Sequence, residues 1–129
     1  MSGHFSIPES TIHTLVNQLK FDEKGLIPTI VQDAKTLEIL MFAFMNRESL
    51  QQTLQKGLAT YYSRSRKKLW LKGETSNHYQ HIKKIFTDCD YDCLLLQIHQ
   101  DGVACHTGSY SCFFNQVHHA GWVSKTDKE

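Results

Sequence analysis

"DCDYDCLLLQIHQDGVACHTGSYSCFF", residues 88–114, carries three aspartates at alternate positions and all four cysteines of the chain. Side chains on a strand alternate between faces. An extended residues 87–96 therefore sends Asp88, Asp90 and Asp92 one way and Cys89, Tyr91 and Cys93 the other. Two separate donor sets follow. Three carboxylates on one face repel one another unless a cation or basic groups sit among them, and oxygen donors suit Mg²⁺ or Ca²⁺. The simpler alternative is a solvated acidic face. An EF-hand loop is excluded, because it needs Gly at its sixth position and Glu at its twelfth, where Cys93 and His99 stand.

The sulfur set divides differently. Cys105 and Cys112 flank "HTGSYS", whose glycine suits a turn that brings both thiolates to one ion. With Cys89 they form three soft ligands, a set that favours Zn²⁺ and leaves a fourth tetrahedral position for water, as in catalytic zinc. Cys93 either fills that position or acts as a small hydrophobe leading into "LLLQI".

Outward from this stretch, 129 residues accommodate one hydrophobic core, and 40% hydrophobic with 21% charged residues is ordinary globular composition. Fourteen Lys+Arg against thirteen Asp+Glu leave no overall field to recruit nucleic acid or an anionic membrane. The N-terminus "MSGHFSIPES" has no basic segment followed by an apolar run, and a cytoplasmic protein is expected. In that reducing compartment, cysteines are free, catalytic or metal-bound rather than paired.

Ile12, Leu15, Val16 and Leu19 recur at helical spacing behind a capping box of Ser6 and Glu9. "LIPTIVQDAKTLEILMFAFMN" reads as an antiparallel hairpin turning at "QDAKT". Asn46 caps a second short helix, "RESLQQTLQK", which stops at Gly57. Strands are predicted in "LATYYSRS", "KKLWLKG", "HIKKIFTDCDYDCLLLQIHQ" and "VACHTG", with Asp101-Gly102 as a hairpin signal and a frayed tail "SKTDKE". The prediction is a single α+β domain, a mostly antiparallel sheet with two short flanking helices.

Three motifs then carry a resemblance. "WLKGETSNH" (70–78), "DCDYD" (88–92) and "ACHTGSYSCF" (104–113) match W-x-K-G-E-T-S-x-H, D-C-D-x-D and A-C-H-T-G-x-x-S-C-F in order. Over residues 25–115 the chain resembles the phosphoribosyl-AMP cyclohydrolase family of histidine biosynthesis. The resemblance implies hydrolysis of the N1–C6 bond of the adenine ring of phosphoribosyl-AMP by a zinc- and magnesium-using homodimer, with metal sites at the dimer interface. It assigns magnesium to Asp88, Asp90 and Asp92, and zinc to Cys89, Cys105 and Cys112, with Cys89 from the other subunit. Asn77 stands where the family commonly has glycine, and Asn tolerates unusual backbone angles. No fused pyrophosphohydrolase domain is expected.

The expected chemistry is attack of activated water on C6, electrophilic because N1 carries a ribosyl group. His106, beside Cys105, is the first choice to accept the proton and His78 the second. His106 serves only if the chain turns at "CHTG". The substrate's phosphates are expected on Ser63, Arg64, Ser65, Arg66 and Lys72, with Trp70, Gly73 and Ser76 completing the substrate site. Lys67 and Lys68 alternatively only guard a strand edge. The rival is a zinc-stabilised nucleic-acid-binding module that stacks bases on Tyr61, Tyr62 and Trp70. Near-zero net charge argues against that module, and the small-molecule reading includes neither nucleic-acid nor membrane partners.

Overall fold

The computed structural model describes residue 5 and residues 7–124. Alternation of Ile27, Thr29, Val31 and Asp33 inward builds β1 (Ile27–Asp33), and the turn after it leads into β2 (Ile39–Met45). The two pair antiparallel, Ile27 opposite Met45. Asp33 makes the turn, its Oδ1 accepting from the amides of Lys35 at 2.7 Å and Thr36 at 2.9 Å.

Helix α2 (Arg47–Lys56) starts at Asn46, whose side chain accepts from the Ser49 amide while the Ser49 hydroxyl accepts from the Asn46 amide, and it stops at Gly57 at φ 74°. Its Leu50 and Leu54 enter the core. Helix α1 (Glu9–Gln18) buries Ile12 and Val16, whereas Leu15 of the expected apolar face stays 39% exposed. The capping Ser6 lies outside the described residues; Pro8 holds the N-cap position without a side-chain hydrogen bond. Residues 125–129 of the tail also lie outside them.

Strands β3 (Thr60–Ser63) and β4 (Lys68–Leu71) form a hairpin, and β5 (Gln80–Thr87) and β6 (Leu94–Gln100) form another. The sheet order is β4-β3-β2-β1-β6-β5. Here the structure corrects the expected mostly antiparallel sheet: β6 inserts beside β1 in parallel, Thr29 opposite Leu94 and Asp33 opposite Ile98, so the sheet is mixed. The physical reason is core burial, since β6 alternates Leu94, Leu96, Ile98 and Gln100 into the interior and a central position shields both its edges. The sheet also curls. Segment 57–59 meets β5, with the Ala59 amide donating to the Gln80 carbonyl at 3.0 Å and the Ile82 amide to the Gly57 carbonyl at 2.9 Å.

Three further readings change. Residues 88–93 form the turn between β5 and β6 rather than extended strand. "VACHTG" is a run of turns, and Asp101-Gly102 leads into it instead of closing a hairpin. A short antiparallel ribbon, β7 (Asn115–His118) and β8 (Gly121–Ser124), follows unpredicted.

The registers give the sheet two chemically distinct ends. At one lie the starts of β1, β3 and β6 and the finishes of β2, β4 and β5, hence the 88–93 turn. At the other lie the β1–β2 turn, the 64–67 tip, the start of β5 into which the 72–79 loop leads, and the 101–112 loop.

Candidate active site

The acid end is built by the 88–93 turn. Tyr91 sits at φ 62°, a conformation that costs a bulky residue on the order of 1–2 kcal/mol. Hydrogen bonds hold it there: the Tyr91 amide donates to the Asp88 carbonyl at 3.1 Å, and the Tyr91 carbonyl accepts from the Lys20 amide at 2.8 Å. The Asp92 amide donates to Asp88 Oδ1 at 3.0 Å. Asp88, Asp90 and Asp92 thus converge, their carboxylate oxygens within 4.8 Å of one another, all exposed. Convergence by a turn replaces the predicted alternation along a strand. A hydrogen bond with Asp88, burial, and repulsion from Asp88 and Asp90 push the Asp92 carboxyl above the ordinary range. Backbone amides outweigh burial and hold Asp88 below it. Such crowding is what a divalent cation relieves.

Cys89 is exposed on the same turn. Cys93 is half-buried, its Sγ 3.9 Å from the Leu94 carbonyl, and burial pushes its thiol up.

Cys105 and Cys112 meet at the opposite end. The turn does occur at "CHTG": the Gly108 amide donates to the Cys105 carbonyl at 3.0 Å, with Gly108 at φ 96°. The loop is stapled to the sheet, the Cys112 amide donating to Leu40 O at 2.7 Å and the Ser111 hydroxyl to Ile39 O at 2.7 Å. Tyr110 donates to Asp33 Oδ2.

Burial pushes the Cys112 thiol up to about 11, helped by its contact with Cys105. For Cys105 burial is outweighed by the Thr107 hydroxyl and amide, by Cys112 and by the Lys72 charge, so its thiol lies below the ordinary value. Thr107 Oγ1 donates to Cys105 Sγ at 3.1 Å. A close thiol pair with a resident cation beside it fits a soft divalent metal. Among the described residues, no third His, Cys, Asp or Glu completes a cluster with these two sulfurs.

Lys72 Nζ donates to the Ala104 carbonyl at 2.7 Å and lies 5.7 Å from the Trp70 ring centroid; burial lowers its pKa against the pull of both thiols. Gly73, at φ 95°, is required because a Cβ there would stand 2.7 Å from backbone atoms of His78 and Tyr79. Asn77 takes φ 67°, as its chemistry allows, and the exposed Ser76 hydroxyl accepts from the His78 amide at 3.2 Å. His78 Nδ1 accepts from the Val103 amide at 3.4 Å, which leaves the neutral ring's proton on Nε2, against Gly102. His106 is exposed on the turn beside Cys105.

Ser63, Arg64, Ser65 and Arg66 are not brought to Lys72 within one chain. They form the tip between β3 and β4, at the opposite end of that hairpin from Lys72, with Arg64 4.2 Å over the Phe44 ring. Tyr61 is fully buried and its hydroxyl donates to Gln80, so it offers no base-stacking platform.

Sequence reasoning missed the supports. Gln80 Nε2 donates to Gln100 Oε1 at 2.8 Å, and Gln100 Nε2 reaches the Asp101 carbonyl at 2.8 Å, forming a buried chain beneath the loops. Thr107, two residues after Cys105, was a readable signal; the Tyr110–Asp33 bond spans 77 positions and was not.

Fold and site together define a small α+β protein that displays oxygen donors and sulfur donors at opposite ends of one curled sheet. A family model described as phosphoribosyl-AMP cyclohydrolase matches residues 41–114, which include all three motifs. The phosphoribosyl-AMP cyclohydrolase of Vesicomyosocius okutanii subsp. Calyptogena okutanii (strain HA) is 63% identical over 108 residues, covering 83% of this chain and 86% of that protein. That of Archaeoglobus fulgidus is 57% identical over 100 residues, 78% of this chain and 93% of the relative. The histidine biosynthesis bifunctional protein HisIE of Caldanaerobacter subterraneus subsp. tengcongensis is 60% identical over 99 residues, 77% of this chain and 48% of the relative. The chain belongs to the phosphoribosyl-AMP cyclohydrolase family.

Tyr110→Phe tests the staple under the thiol loop. Asp33 is held below the usual carboxylate range chiefly by the Tyr110 hydroxyl. Its contribution is therefore present above the unfolded value near ~3.9 and fades as pH falls through the lower folded value. Urea unfolding should show a loss of about 1–2 kcal/mol at pH 7 that shrinks in acid. An equal loss at every pH contradicts the assignment.

Proposed function

We propose that this chain hydrolyses the N1–C6 bond of the adenine ring of phosphoribosyl-AMP, in histidine biosynthesis, at a site composed from two copies in a cytoplasmic homodimer. The observation that carries the reading is the placement of Cys89. Seven residues of β6 stand between its turn and the Cys105–Cys112 loop, about 20 Å of extended chain. Three sulfurs meet only where the acid end of one copy abuts the thiol end of another. A twofold arrangement does this twice. Cys89, Cys105 and Cys112 would hold zinc, and Asp88, Asp90 and Asp92 magnesium. Zinc in such a set supplies water acidified for attack on an electrophilic carbon.

The chain's own residues do the rest. With its N1 substituted, the purine is a cationic amidine whose C6 accepts a nucleophile. His106, exposed one residue from Cys105, takes the proton from the attacking water. His78, pinned by Val103 and Gly102, shapes the floor. Trp70 offers an aromatic wall edged by the Lys72 charge. Arg64 and Arg66, on the β3–β4 tip, bind phosphate, for which their fork of donors is suited. Ser63, Ser65, Gly73 and Ser76 line the tip and the loop that face the substrate.

Complementation checks the two-chain site. Cys89→Ser and Cys112→Ser should each be inactive alone. Mixed equally and allowed to exchange, they should recover about a quarter of wild-type activity, because half of the dimers then hold one intact site of two. No recovery, with exchange shown by mass, overturns the shared assignment. His106→Asn should lower kcat by about 10²- to 10⁴-fold while zinc stoichiometry holds. Unchanged turnover would remove His106 from the mechanism.

A further inference from the structure

The turn at "CHTG" does more than bring Cys105 towards Cys112. It closes on itself, the Gly108 amide donating to the Cys105 carbonyl at 3.0 Å and the Cys105 amide to the Ser109 carbonyl at 3.1 Å. This reversal folds Thr107 back over the side chain two positions before it. The Thr107 hydroxyl donates to Cys105 Sγ at 3.1 Å, and the Thr107 amide is directed at the same sulfur.

A threonine in a turn ordinarily gives its hydroxyl to a nearby backbone group. Here the hydroxyl goes to a side-chain sulfur instead. Cys105 is buried while Thr107 is exposed, so Thr107 fills no space in the core. Its contribution is made at the sulfur. Cys112 has different neighbours, Cys105 and the Lys72 charge. The two thiols of the pair are therefore unequal.

That inequality bears on any metal they hold. Three thiolates carry more negative charge than a divalent ion cancels, and the density they donate opposes acidification of a bound water. A hydrogen bond to one sulfur withdraws part of that density and fixes the direction in which the sulfur points. Partners of ligands commonly govern a metal site in this way.

We propose that Thr107 is a positioning residue of the thiol site: its hydroxyl, donated to Cys105 Sγ, holds that sulfur ready for a soft divalent metal and limits the charge it passes to the ion. The proposal rests on Cys105 and Cys112 as zinc ligands, and not on whether one copy or two complete the set.

Two variants of the full chain test it. Thr107→Val removes the hydroxyl and keeps the amide, and Thr107→Ser keeps both donors. Zinc affinity is read by competition with a chelator. In the cobalt(II)-loaded protein, the sulfur-to-cobalt charge-transfer band reads how much density the thiolates donate. Thr107→Val should bind zinc about 10- to 100-fold more weakly and move the band to longer wavelength, whereas Thr107→Ser should match the wild type in both. An unmoved band in Thr107→Val, whether or not affinity falls, overturns the proposal, because a mere support for the loop leaves donation by sulfur unchanged. A serine variant that behaves like the valine variant overturns it as well. A wild-type chain without any sulfur-to-cobalt band removes the thiol metal site, and the role of Thr107 with it.

Discussion

The parallel pairing of β6 with β1 is the constraint on which the rest depends. It fixes which loops share an end of the sheet: the β5–β6 turn lies where β1 starts, and the β1–β2 turn lies with the loop after β6. A strand buried at alternate residues from Leu94 to Gln100 cannot bend to bring its two flanking loops together. The acids with Cys89, and the Cys105–Cys112 pair, are therefore held apart inside each chain. Under the proposed two-copy site, that separation is what calls for a second chain.

Rigidity at the thiol end comes from different physics. The loop there has no regular secondary structure, and its backbone groups are satisfied by Leu40, by Ile39 through Ser111, and by the Tyr110–Asp33 bond. Asp33 serves twice, capping its own turn with one oxygen and receiving Tyr110 with the other. Below the loop, Tyr61, Gln80 and Gln100 form a buried polar chain whose every link has a partner. Networks of this kind hold loops in one arrangement because leaving any member unpaired in the interior is costly.

Much of this was legible in the sequence where the cause is local. Asn46 and Gly57 delimited α2, and the β1–β2 hairpin followed from two β-rich runs around a polar turn. The residues that the structure brings together, Asp88 with Asp90 and Asp92 and Cys105 with Cys112, were singled out by type and motif. What was not legible depended on contacts distant in sequence, chiefly the parallel β1–β6 register, which no local pattern encodes. The 88–93 turn was misread for another reason. Alternating aspartates satisfy the period of a strand, but aspartate favours turns, and that preference prevailed once β5 and β6 paired back on each other. The carboxylates still converge, by a mechanism other than the one alternation suggests.

The central claim is that a zinc ion held by this chain belongs to two copies at once. Native mass spectrometry of the zinc-loaded protein over a dilution series tests it most directly. The account predicts two zinc ions on every dimer and none retained on monomer, so that metal leaves as the chains part. A monomer that keeps one equivalent of zinc would contradict it.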